Sequence, residues 1–178
     1  MIKRFLTLSA LITALAAHTQ AADTSVKLTD VHLCCNSCVK GVEKAIGTVS
    51  GATAQSDKDA GTVTITAPDQ AGAQKAVNAL VAAGYFGKSS DATIKVQAHT
   101  GVKKAKMDGR VQSLKIAGVH LCCGKCVTSV NDALKTVAGV KANTATKGAE
   151  TFEVSGDFIG SEVFKALNKA GLTGKVAL

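Results

Sequence analysis

All six cysteines of the chain fall inside two nine-residue strings, VHLCCNSCV at Val31 to Val39 and VHLCCGKCV at Val119 to Val127, together with two of its four histidines. The candidate groups are therefore His32, Cys34, Cys35 and Cys38 in one string and His120, Cys122, Cys123 and Cys126 in the other. Thiols at this density have three uses: cross-linking the fold, exchanging disulfides, or holding a soft cation. Disulfides that brace a fold close loops between distant elements. Three cysteines packed into five residues close only tiny loops and brace almost nothing.

The spacing speaks to how the side chains converge. In an extended segment, successive side chains alternate, so His32 and Cys34 face one side and Leu33 the other, toward a core. Cys35 and Cys38, three apart, become neighbours if a helix starts there. The four groups of each string then meet where a strand hands over to a helix. The unpaired N–H groups and the dipole of a helix N-terminus favour the thiolate form. Thiolates so close together repel one another unless a cation sits among them. Three thiolates and an imidazole suit Cu(I) or Zn(II), with Cd(II) and Hg(II) also compatible.

The strings are the best-kept part of a longer repeat. At an offset of 88, VHLCCNSCVKGVEKAIGTVSG faces VHLCCGKCVTSVNDALKTVAG, and shifts of one residue align later segments. Each copy begins with an extended run, marked by Val26 and Leu28 or by Leu114 and Ile116. The string follows, then a helix with Val39, Val42 and Ile46, or Val127, Val130, Leu134 and Val137, at helical spacing. Gly51 and Gly139 read as its stop signals. An alternating strand comes next, GTVTITA or ETFEVSG. A second helix carries Val77, Leu80 and Val81, or Val163, Phe164 and Leu167, and ends at Gly84 or Gly171. A last strand closes each unit, and TIKVQA at Thr93 to Ala98 is read as its extension in the first. This order predicts an α+β chain of two tandem ferredoxin-like βαββαβ domains, each a four-stranded antiparallel sheet with two helices on one face.

Each unit resembles a heavy-metal-associated domain, whose loop between first strand and first helix reads Gly-Met-x-Cys-x-x-Cys. The Cys-x-x-Cys pair maps onto Cys35 and Cys38 and onto Cys123 and Cys126, and the buried Met onto Leu33 and Leu121. The family's Gly is replaced by His32 or His120, and its variable position by Cys34 or Cys122. The Cys-Cys pair is similar to the variant loop of plant zinc ATPases. The resemblance implies a non-enzymatic carrier or store of metal, with Cu(I) the first expectation and Zn(II) the second. A metal-transporting protein or another metal donor or acceptor is the implied partner. The added Cys and His depart from a plain two-thiolate loop and imply tighter holding or higher coordination.

Two other functions compete. A thiol oxidoreductase would use each Cys-x-x-Cys as attacking and resolving thiols, with a third adjacent thiol complicating the cycle. Structural zinc clips would staple small domains. Covalent haem is excluded, because Val39 and Val127 stand where a histidine is required. No Ser/His/Asp arrangement, phosphate loop or carboxylate pair is present, so no enzyme is expected.

The ends and the composition set the compartment. Residues 1–21 read as a signal peptide: Lys3 and Arg4 precede an apolar stretch from Phe5 to Ala17, and small residues follow to Ala21. Export, to the periplasm of a Gram-negative bacterium, is the expectation, and no later segment reads as a membrane span. The domains are expected at 22–97 and 111–178. A lysine-rich linker, 98–110, separates them and contains His99, Lys103, Lys104, Lys106 and Arg110. Stretched out, it reaches roughly 45 Å, enough for the units to move apart or fold back on each other. The formal net charge is +8, yet the lysines are scattered and the chain has one tyrosine and no tryptophan. Nucleic acid is not an expected partner. Two intact strings predict two metal sites.

Overall fold

In the computed structural model the described residues are 23–102 and 107–177, so the expected signal peptide and Lys103, Lys104 and Lys106 lie outside them. The first unit runs β1 (Thr24–Thr29), α1 (Asn36–Ile46), β2 (Thr53–Asp57), β3 (Thr62–Ala67), α2 (Gln70–Ala82) and β4 (Lys88–Ser89). The second repeats it as β5 (Arg110–Ala117), α3 (Gly124–Lys135), β6 (Val140–Asn143), β7 (Thr151–Ile159), α4 (Gly160–Lys169) and β8 (Lys175–Val176). The sheets are antiparallel with matching orders, β2-β3-β1-β4 and β6-β7-β5-β8. The expected pair of ferredoxin-like units is what the chain forms.

Register explains why the central strands hold. Val26 lies opposite Ile65 and Leu28 opposite Val63; Leu114 faces Val154 and Ile116 faces Phe152. All eight are buried, and the residues between them face outward. Only one face of each sheet therefore needs covering, and the helices supply Val42, Ile46, Val77 and Leu80 in one unit and Val130, Leu134, Val163 and Leu167 in the other.

Three local expectations are corrected. The first helix of each unit stops before Gly51 or Gly139: α1 ends at Ile46 with Gly47 as its cap, α3 at Lys135 with Thr136. Gly51 and Gly139 instead make the turn into the next strand, at φ +74° and +87°. The TIKVQA segment forms no strand. Asp91 turns the chain by accepting from the N–H and Oγ1 of Thr93 at 2.8 and 2.6 Å. The Gln74 amide then clamps the backbone of Lys95 on both sides at 2.8 Å, and Ile94 is buried. Arg110, expected in the linker, opens β5 and forks onto the Asp157 carboxylate at 2.9 and 2.7 Å.

The units are not separate bodies. Tyr85, after α2, and Leu172, after α4, pair as an antiparallel bridge between them. Phe86 donates its N–H to Gly171 at 3.0 Å and Thr173 donates to Gly84 at 2.9 Å. The buried apolar residues form one continuous core through both halves. The linker is anchored on both sides of 103–106: Thr100 accepts from Val176 N–H at 2.8 Å, and Met107 is buried. A chain nicked by trypsin within 103–106 should therefore keep its halves associated. Gel filtration under native conditions checks this: co-elution is expected, and two separately eluting halves would show that the interface is too weak to matter.

Candidate metal centre

Position is set by the sequence of β1, loop and α1. Val31 and Leu33 turn inward and are buried, which points His32 and Cys34 the other way. Cys35 is the N-cap of α1, extended at φ −163° and ψ 169°, and Cys123 caps α3 at −149° and 171°. Neither cap residue's side chain bonds the helix, and neither first turn holds an acid. Cys38 and Cys126 are fully buried on the inward stripe, four residues before Val42 and Val130. They are core residues and cluster residues at once.

The two strings, expected to form separate sites, lie against each other across the boundary between the units. Cys34 lies 3.3 Å from Cys123 and 3.5 Å from Cys126, Sγ to Sγ. The mirror-related pairs are Cys122 with Cys35 at 3.7 Å and with Cys38 at 3.5 Å. Cys38 and Cys126 meet at 3.9 Å on the pseudo-twofold axis. All six are free thiols. The histidines join across the same boundary. His120 comes together with Cys38, Cys122 and Cys126, and His32 with Cys34 and Cys126, each set with ligand atoms within 4.8 Å of one another. All eight residues singled out by the spacing converge: three of the ligand combinations mix the two strings, and Cys34, Cys35 and Cys38 also form a set within the first. His99 is exposed and takes no part.

The electrostatics follow from crowding. Cys38 is held far below the usual thiol range by hydrogen bonding with Cys126, and with Cys122 and Cys34. Cys126 is driven up by that same bond and by burial, so the axial pair shares one negative charge. Burial, then the bond to Cys123, pushes Cys34 up to about 12. Cys123 drops to about 6, chiefly because the Cys126 backbone N–H points at its sulfur. A cluster of thiols that can ionise only in part is one that a cation would complete.

Sequence reasoning missed Tyr85. It is fully buried, and its hydroxyl donates to the Cys38 carbonyl at 2.8 Å while touching His120 Nε2 at 3.0 Å. The rings stack with centroids 4.5 Å apart. Burial and the neighbouring sulfurs keep the phenol protonated. With its proton on the Cys38 carbonyl, the phenol oxygen is placed to accept from His120 Nε2–H, the tautomer that frees Nδ1 as a lone pair. At the matching place opposite His32 the chain has Leu172, and His32 Nε2 is buried with no partner. Burial also lowers the pKa of His32. The available signal was the break in the repeat itself, Gly84-Tyr85 against Gly171-Leu172.

Fold and loop placement together make each unit resemble a heavy-metal-associated domain, with the Cys-x-x-Cys pair at the strand-to-helix junction. No protein-family model matches the chain, and no curated protein matches it. Among solved structures, it is similar to one described as "Crosstalk between Cu(I) and Zn(II) homeostasis", at 24% identity and a TM-score of 0.33, over 38% of this chain and 100% of that one. It is also similar to the solution structure of the N-terminal soluble domains of Bacillus subtilis CopA, at 15% identity and a TM-score of 0.31, over 88% of this chain and 95% of that one.

Proposed function

We propose that this chain is an exported, non-enzymatic protein that sequesters or carries a soft metal ion, with Cu(I) as the favoured cargo and Zn(II) as the second. The convergence of six free thiols and two imidazoles between the units carries the reading. Sulfur-dominated donor sets select Cu(I) and Zn(II) over hard cations. The periplasm is the proposed compartment, on the strength of residues 1–21. A metal-transporting protein or another thiol-bearing donor or acceptor is the proposed partner.

The competing functions fit the geometry less well. A thiol oxidoreductase needs one attacking and one resolving thiol, whereas here Cys34 and Cys122 bring further sulfurs within 3.3–3.7 Å of Cys123 and Cys35. A structural clip has little to do in a chain whose core is already continuous. Among the described residues, no helix is long and apolar enough to cross a membrane.

The histidines separate the two metals. Zn(II) prefers a tetrahedron and gains from an imidazole as fourth ligand. Cu(I) is satisfied by two or three thiolates. His32→Ala combined with His120→Ala should therefore weaken Zn(II) binding tenfold or more, about 1.4 kcal/mol, and leave Cu(I) affinity nearly unchanged. Anaerobic competition against chelators of known affinity measures both. An equal, large loss for both metals would make the imidazoles Cu(I) ligands and sink the all-thiolate copper reading.

A further inference from the structure

The sulfurs do more than cluster; they tile. Cys35, Cys38 and Cys122 form one triangle, with edges of 3.7, 3.7 and 3.5 Å. Cys38, Cys122 and Cys126 form the next, with edges of 3.5, 3.7 and 3.9 Å. Cys34, Cys38 and Cys126 form the third, at 3.6, 3.5 and 3.9 Å. Cys34, Cys123 and Cys126 form the fourth, at 3.3, 3.5 and 3.8 Å. Neighbouring triangles share an edge, so the middle sulfurs belong to more than one face. Around an ion with metal–sulfur bonds of about 2.3 Å, sulfurs sit about 3.8–4.0 Å apart, close to these edges.

We propose, building on the metal-binding reading above, that the centre takes a polynuclear Cu(I)–thiolate cluster with bridging sulfurs, about four ions when full. Two arguments support it beyond geometry. The first is valence: Cu(I) is content with three thiolates, and the four triangles offer three sulfurs to each of about four ions, with Cys38 and Cys126 shared by three triangles, Cys34 and Cys122 by two, and Cys35 and Cys123 held in one. The second is the use of donors: a single Cu(I) takes two or three sulfurs and leaves the rest crowded at 3.3–3.9 Å with no cation among them, whereas several ions engage all six. Each sulfur that is still protonated gives up its proton to solvent as it binds, and no electron moves.

The test is anaerobic Cu(I) titration of the chain from Ala22, followed by native mass spectrometry and copper X-ray absorption. At half saturation the metal-free and filled forms should dominate, because bridging makes each ion help the next. The filled form should hold three or more ions and show a metal–metal scattering vector. One ion per chain, or two bound in succession without that vector, would overturn the cluster and leave the metal-binding reading intact. Failure to retain either Cu(I) or Zn(II) against a weak chelator would overturn both.

Discussion

Replacing Cys123 and Cys126 together by serine should cripple the whole centre rather than halve it. If the strings acted separately, the site at Val31 to Val39 would keep its affinity in this variant. In the structure, however, Cys34 has Cys123 and Cys126 among its close sulfur neighbours, and Cys38 loses Cys126 from the axis. The metal still bound should be held at least tenfold more weakly, about 1.4 kcal/mol, and the bound Cu(I) should fall below half. Elemental analysis of reconstituted protein gives the capacity and chelator competition the affinity. Circular dichroism controls for the fold, since Cys126 is also a core residue. A variant that keeps half the metal at parental affinity would restore two independent sites.

Gly171→Ala is expected to pry the units apart. Gly171 sits at φ +75°, a conformation costing an L-residue roughly 1–2 kcal/mol. An added Cβ would lie 2.5 Å from Asp30 O and 2.5 Å from His32 N, both backbone atoms of the other unit's loop. Backbone cannot swing aside as a side chain can. The same glycine accepts from His32 N–H at 3.3 Å and Phe86 N–H at 3.0 Å, and those bonds go with it. With each worth about 0.5–1.5 kcal/mol, the loss should total roughly 3 kcal/mol. Denaturation midpoints and metal capacity should both drop, while Gly109→Ala, with nothing within 4 Å of its Cβ, changes neither. Unchanged capacity in Gly171→Ala would mean that the centre does not depend on this interface.

The duplication explains how much of this could be read in advance. The period-2 runs of Val26 with Leu28 and Val63 with Ile65, and the helical stripes behind them, encode each unit's own core. They fixed the architecture without reference to the partner unit. The thiols and imidazoles stood out by type and spacing. What joins the units leaves no such trace. It is carried by backbone atoms of Gly84 and Gly171 against loop backbone, and a missing Cβ has no periodicity. Cys38 and Cys126 were read only as ligands, although their four-residue step to Val42 and Val130 places them on the buried stripe. That stripe points them at each other once the interface closes. TIKVQA misled because its alternation is that of a strand, while a side-chain clamp from Gln74 decides its path.

The Tyr85–Leu172 pair shows what fusing two copies into one chain permits. A homodimer of a single unit is bound by its symmetry: it would carry two tyrosines beside its histidines or two leucines, never one of each. Here one imidazole is leashed by a phenol, while the other has a leucine at the matching position of its repeat and a buried Nε2 with no partner. The covalent tandem has thus released the two poles of the centre from having to evolve together. It also makes their meeting a first-order event: assembly of the centre does not depend on protein concentration, so it survives dilution that would dissociate a two-chain version.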